Sequence, residues 1–130
     1  MKIQLTSIFV EDQDKALKFY TQVLGFIKKR DFPLGEYKWL TVVSPEGPQD
    51  IELLLEPNNN PAAKTFQKAI FEQGITYATF AVADIQKEYA TLKKSGVEFT
   101  MEPTNMGMTT MAVFNDTCGN LIGIYQLNAG

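Results

Sequence analysis

The chain repeats itself, and the repeat limits what it can fold into more than any single motif does. Val10-Glu11-Asp12 returns 72 residues later as Val82-Ala83-Asp84, Gly47 is matched 72 residues on by Gly119, and Gly25 is matched 71 residues on by Gly96. Apolar and turn segments recur in the same order at that offset, which marks an internal duplication. At 130 residues the chain fits one domain that buries roughly two-thirds of its unfolded surface, or two half-domains sharing a core.

Each copy reads as βαβββ. In the first, Ile3 to Val10 alternates as a strand with both faces at least partly buried, and Asp12 or Asp14 offers an N-cap. Ala16, Phe19, Tyr20, Val23 and Leu24 then recur at helical spacing until Gly25 closes the helix. Strands follow over 26–32, 37–43 and 51–55. Asn60 and Pro61 open a connecting helix over about 60–73, Asn60 as cap and Pro61 at the first position. In the second copy a strand over 75–82 leads to a helix capped by Asp84, carrying Ile85, Tyr89 and Leu92 on one face and closed by Gly96. Strands over 97–102, 108–114 and 121–125 complete it, the last two flanking the polar turn Asn115 to Asn120. The reading is one α+β domain over 1–130: module one about 1–57, the connecting helix, and module two about 74–127.

Charge and composition remove several classes of function. A net charge of −3 with the single arginine Arg30 excludes a phosphate-binding surface, so no nucleic-acid partner is expected. Lys28-Lys29-Arg30, the one basic cluster, reads as a solvated edge strand. No apolar run is long enough for a signal peptide or a membrane span, and the lone Cys118 has no disulfide partner, so the expected setting is cytoplasmic and away from membranes. There is no histidine, hence no imidazole ligand and no histidine base.

Val10-Glu11-Asp12 leading into Ala16-Leu17-Lys18-Phe19-Tyr20 and Val23-Leu24-Gly25-Phe26, then Phe80-Ala81-Val82-Ala83-Asp84-Ile85, and finally Asp116-Thr117-Cys118-Gly119-Asn120 together resemble the vicinal oxygen chelate superfamily. That group includes glyoxalase I, bleomycin-resistance proteins and extradiol dioxygenases. The resemblance implies the glyoxalase/bleomycin resistance/dihydroxybiphenyl dioxygenase-like fold, in which two βαβββ modules with curled mixed sheets enclose a cavity. It also implies a homodimer. Metal-dependent members carry ligands on the first and last strand of each module. Those positions fall here on Leu5, Glu52, Tyr77 and Gly123. Leu5 and Gly123 offer no donor and Tyr77 titrates near about 10, so no metal and no other cofactor is expected.

Glu52 is then the main candidate: a cavity-facing carboxylate able to act as a general base with a raised pKa or to anchor a cationic ligand. Ser7, Phe9, Trp39, Tyr77, Thr79, Met101, Met111 and Tyr125 are candidate lining residues, and Met106 and Met108 are expected in the same aromatic and methionine set around the cavity. Aromatic and methionine side chains suit varied apolar ligands, and the hydroxyls can fix orientation. The function expected is metal-independent binding of a small apolar, aromatic or cationic molecule, of the sequestering, resistance type. The alternative is a glyoxalase-type lyase or isomerase using Glu52 as base, with or without a divalent metal. A subunit or regulator with a vestigial cavity is a third reading.

Overall fold

The structure, a computed structural model, describes residues 1–129. It divides into two compact units, residues 1–66 and Gln67 onward. Each holds a four-stranded mixed sheet, in the order β1-β4-β3-β2 and β5-β8-β7-β6, so the duplication read from the sequence is a duplication of topology. Both sheets are open.

In the first unit the strands are β1 (Leu5–Val10), β2 (Ile27–Leu34), β3 (Tyr37–Val43) and β4 (Glu52–Pro57). β1 runs parallel to β4, while β2, β3 and β4 are successively antiparallel. Helix α1 (Gln13–Lys18) continues as a π-helical turn over Phe19–Val23. Asp12 caps it, its Oδ1 accepting from the Lys15 amide at 3.1 Å, which decides between the two aspartates that the sequence offered. Ile8, Val10, Leu40, Val42 and Leu55 are buried together with Ala16, Phe19 and Tyr20. The opposite face carries Leu5, Ser7 and Phe9, of which Leu5 and Ser7 are exposed and Phe9 is half-buried. The first strand is therefore buried on one face, not two. Alternation alone could not separate the cases because both faces of this strand carry apolar residues.

The second unit contains β5 (Ala78–Ala81), α3 (Ile85–Lys94), β6 (Phe99–Asn105), β7 (Thr109–Asn115) and β8 (Leu121–Leu127). β5 is parallel to β8, and β6, β7 and β8 are antiparallel in turn. Asp84 caps α3 through the Lys87 amide at 3.2 Å. Tyr89 on α3 meets Phe99 edge-on at 4.6 Å, and Phe99 meets Phe114 at 5.6 Å. Helix α2 (Pro61–Glu72) starts where Asn60 Oδ1 accepts from the Ala62 amide. Among the described residues no helix is long and apolar enough to cross a membrane.

The β7–β8 turn is built around a buried carboxylate. Asp116 Oδ1 accepts from the amides of Cys118 at 2.7 Å and Asn120 at 3.0 Å, and its Oδ2 accepts from Asn120 Nδ2 at 2.8 Å. Gln67 Nε2 donates to Asn120 Oδ1 at 3.0 Å and to the Cys118 carbonyl at 3.2 Å. Cys118 is buried inside this network. Removing the carboxylate leaves two turn amides and one side-chain amide without their acceptor. Asp116→Ala is expected to lower stability by about 3 kcal/mol, measured as a fall in the urea midpoint with an unchanged m-value.

Candidate functional site

The open face of the first sheet holds the candidate site. Register sets Phe9 beside Glu56 and Leu5 beside Glu52 across β1 and β4, and Phe32 beside Trp39 and Leu34 beside Tyr37 across β2 and β3. The rings of Phe32 and Trp39 stack at 6.4 Å with a 22° tilt. A groove of about 630 Å³ runs over this face, lined by Phe9, Tyr37, Trp39, Leu54, Glu56 and the Phe66 side of α2 among others. Such a volume accommodates a drug-sized molecule.

Along the groove two strands part. β3 and β4 are in register only at Thr41 with Leu54 and Val42 with Leu53. Beyond that point Gln13, buried on α1, stands in for the missing backbone partner. Its Nε2 donates to the Lys38 carbonyl at 2.8 Å and the Leu55 carbonyl at 2.9 Å, while its Oε1 accepts from the Lys38 amide at 3.0 Å. Buried backbone polar groups must be satisfied, and a primary amide offers both donor and acceptor. Nothing in the sequence marked Gln13, because a glutamine in a first helical turn is ordinary.

Glu52 is buried, and its surroundings reverse the expectation made for it. Its Oε1 accepts from Thr41 Oγ1 at 2.7 Å and from Arg30 Nε at 3.0 Å. The Thr41 hydroxyl and the Arg30 guanidinium, with a further contribution from Lys29, hold the carboxyl below its usual range against the opposing effect of burial. A carboxylate so held is a weaker base, and its charge is already met by Arg30. The raised pKa expected of a general base is thus corrected to a lowered one.

The lowered value makes the carboxylate a pH-dependent contributor to stability. The contribution is present above the unfolded value, near 4.5, and is lost as pH falls through the folded value. Thr41→Val removes the largest cause, so the Glu52 carboxyl resonance in that variant should titrate at higher pH than in the wild type, and acid unfolding should begin at higher pH.

Arg30 reaches Glu52 because β2 is irregular. Lys28 pairs with Val42 and Arg30 with Thr41, which leaves Lys29 as the extra residue of a bulge. A bulge re-aims the side chains beyond it, and here it brings Arg30 onto the face of Thr41 and Glu52. Sequence reading took Lys28-Lys29-Arg30 as a uniformly solvated edge. β2 is indeed the edge strand, and Lys28 and Lys29 behave so, pairing with Asp31 and the Gln49 carbonyl. Arg30 is as exposed as Lys28 but also reaches the buried Glu52, and only the bulge distinguishes it.

Of the candidate residues in this unit, Phe9 and Trp39 line the groove. Ser7 lies one pleat from Phe9 and is exposed, and Glu52 lies on the same strand as Glu56 but is committed to its ion pair. Glu56, Tyr37, Phe32 and Phe66 were not singled out from the sequence, although the i, i+2 spacing of Glu52, Leu54 and Glu56 carried the signal for Glu56.

The second unit presents Thr79, Gly123, Met111 and Tyr125 on one face through the pairs Thr79–Gly123 and Met111–Tyr125. Tyr77 precedes β5, its amide donating to the Leu121 carbonyl, and Met101 pairs with Val113. Met106 and Met108 project at the β6–β7 turn, 59% and 83% exposed, and do not join the other methionines. A Cβ at Gly123 would lie 3.0 Å from Thr79 Oγ1 and 3.4 Å from Met111 Cε. Those two side chains occupy the space that a ligand-bearing residue at 123 would need.

The metal-ligand positions therefore fail on the chemistry of their donors. Leu5 has none, Glu52 is bonded to a guanidinium that repels a second cation, and Gly123 is roofed by Thr79 and Met111. Among the described residues no three His, Cys, Asp or Glu side chains gather in a way that could hold a metal ion. The residues present do not fit the divalent metal that other members of such a fold carry.

Two βαβββ units with an open aromatic groove define a class of small-molecule-handling folds. The chain belongs to the Glyoxalase/Bleomycin resistance protein/Dioxygenase superfamily, whose sequence pattern matches residues 2–124. It is 63% identical over 126 residues to the uncharacterized protein YurT of Bacillus subtilis (strain 168), covering 97% of this chain and 99% of that one. It is 30% identical over 129 residues to a probable lactoylglutathione lyase of Vibrio cholerae, covering 96% and 90% respectively. Among solved structures it resembles TnmS3, an antibiotic binding protein from Streptomyces sp. CB03234, with a TM-score of 0.76 and 27% identity over 98% of this chain and 97% of that one.

Proposed function

We propose that this protein binds a small aromatic molecule without a metal, in the groove of the first unit. The observation that carries the proposal is an unpaired carboxylate in an aromatic enclosure. Glu56 lines the groove with Phe9, Tyr37, Trp39 and Phe66, is half-buried, and makes no ion pair or hydrogen bond among the described residues. Aromatic faces beside a free carboxylate favour a ligand with a cationic group on an apolar body. Glu56 takes the anchoring role expected of Glu52. Likeness to an antibiotic binding protein supports a sequestering role. The likeness to a probable lactoylglutathione lyase supports the alternative of a lyase or isomerase, against which the lowered pKa of Glu52 weighs. Ser7 is retained as a candidate contact of that ligand, Tyr77, Thr79, Met101, Met111 and Tyr125 as candidates for binding on the second unit's own open face, and the cytoplasm as the site of action.

Trp39 is the only tryptophan, so its emission reports on the groove directly. Ethidium, a planar aromatic cation, is expected to bind saturably and quench Trp39, with no change on adding EDTA. Glu56→Gln should weaken that binding about tenfold. Absence of saturable binding by both ethidium and neutral aromatic probes, or binding that EDTA abolishes, defeats the proposal.

The protein is further proposed to act as a homodimer. Leu5, Phe32, Leu34 and Tyr37 expose between 38% and 58% of their surface on the groove-bearing sheet, and a second copy meeting the rim of this face would close the groove over a bound ligand rather than replace it. Sedimentation equilibrium at micromolar concentration should give twice the 14.6 kDa chain mass; Phe32→Glu should shift it toward the single-chain value.

A further inference from the structure

The polar end of the groove face opposite Glu56 is not explained by a cation-binding carboxylate. Arg30 is the chain's only arginine, and three features fix it in place. The bulge at Lys29 turns it onto the open face. Glu52, buried beneath, takes its Nε at 3.0 Å, and Thr41 Oγ1 locks the same carboxylate oxygen at 2.7 Å. With one nitrogen so engaged, the side chain remains 51% exposed, and its two Nη amino groups have no partner among the described residues.

A guanidinium held by its Nε presents the Nη groups outward as a planar pair of donors, which matches the geometry of a carboxylate. The neighbouring surface is aromatic. Phe32 lies two residues from Arg30 on β2, and Trp39 two residues from Thr41 on β3, so the stacked pair is the next residue pair along the same sheet face, its Cα atoms roughly 7 Å from those of Arg30 and Thr41. A flat ligand lying on Phe32 and Trp39 and extending along the strands towards Thr41 therefore brings its edge to the Arg30 side chain.

We infer that Arg30 is an oxyanion anchor, receiving on its Nη groups a carboxylate borne by an aromatic ligand that rests on Phe32 and Trp39. This deepens the reading of the groove as a small-molecule site and depends on it. Glu52 is then a positioning residue: it fixes the guanidinium and touches no ligand. The preferred ligand class is an aromatic acid, and one also bearing a cationic group at the Glu56 end engages both poles.

The test uses 2-naphthoate and its neutral isostere 2-naphthamide, titrated calorimetrically into the wild-type protein and into Arg30→Gln. Wild-type protein is expected to bind 2-naphthoate about tenfold tighter than 2-naphthamide, and raising the salt concentration should narrow that gap. Arg30→Gln should abolish the gap while leaving 2-naphthamide affinity within a factor of two of the wild type. Arg30→Lys should keep part of it. Because Arg30→Gln strands a buried carboxylate, Arg30→Gln/Glu52→Gln serves as the second variant, neutral at both positions, with near-ultraviolet circular dichroism as the check on folding. Equal affinity for the two probes in the wild type, or an equal loss of both in the variants, overturns the inference while the binding reading stands. If neither probe binds while ethidium does, the inference alone falls; if ethidium also fails, both fall.

Discussion

The parting of β3 and β4 in the first unit depends on a side-chain amide standing in for a strand. A mixed sheet whose central strands stay paired along their whole length has a continuous surface with no room for a deep groove. β3 and β4 can separate only if the backbone groups of Lys38 and Leu55 find other partners, because leaving them bare in a buried setting costs about 1–3 kcal/mol each. Gln13 supplies two donated bonds and one accepted bond at 2.8–3.0 Å. The helix that covers one face of the sheet thereby sets the shape of the other, and the aromatic side chains of Phe9 and Trp39 line the space that results.

The two copies share topology down to strand order, yet their chemistry has parted. In the first, the last strand carries Glu52 and a groove remains beside it. In the second, the position one duplication length further along is occupied by the sheet's own packing, with Thr79 and Met111 closing over Gly123. The buried polar networks have diverged as well. Gln13 joins strands in the first unit, whereas Gln67 in the second ties α2 to a turn through Asn120 and Cys118. Duplication preserved the backbone because the apolar pattern and the caps Asp12 and Asp84 were enough to specify it. Nothing in that pattern constrains what the open faces bind.

That division also explains what was legible in the sequence. Capping aspartates, glycines at helix ends and alternating apolar strands act locally, so the βαβββ order, the cap at Asp84, the choice of Asp12 or Asp14 for the first cap and the polar turn at Asp116 could be read residue by residue. Strand ends moved by a few residues, as with β5, which is confined to Ala78–Ala81. The site was less legible because it rests on relations between distant residues. Trp39 and Phe9 were visible as aromatics on strands of suitable face. The pairing of Glu52 with Arg30 was not, since it depends on a bulge that shifts register by one residue, and such a shift exchanges the two faces of a strand. The sequence shows three adjacent cations; only the bulge decides which of them turns inward.

The Arg30–Glu52 pair also limits how the groove can change in evolution. A buried carboxylate without its partner is costly, so loss of Arg30 alone is selected against even where no ligand is at stake. Loss of Glu52 alone leaves Arg30 solvated but no longer oriented, which removes the preorganisation that makes a guanidinium selective. The structural cost of breaking the pair therefore falls on the loss of Arg30, and the functional cost on the loss of Glu52. Glu56 has no such tie, and its replacement leaves no partner unpaired. A relative that keeps the pair and replaces Glu56 would retain an acceptor for acids and lose any preference for cations. Under the proposed reading, the charge preference of this face is thus set by one residue that is free to vary and one that structure holds in place.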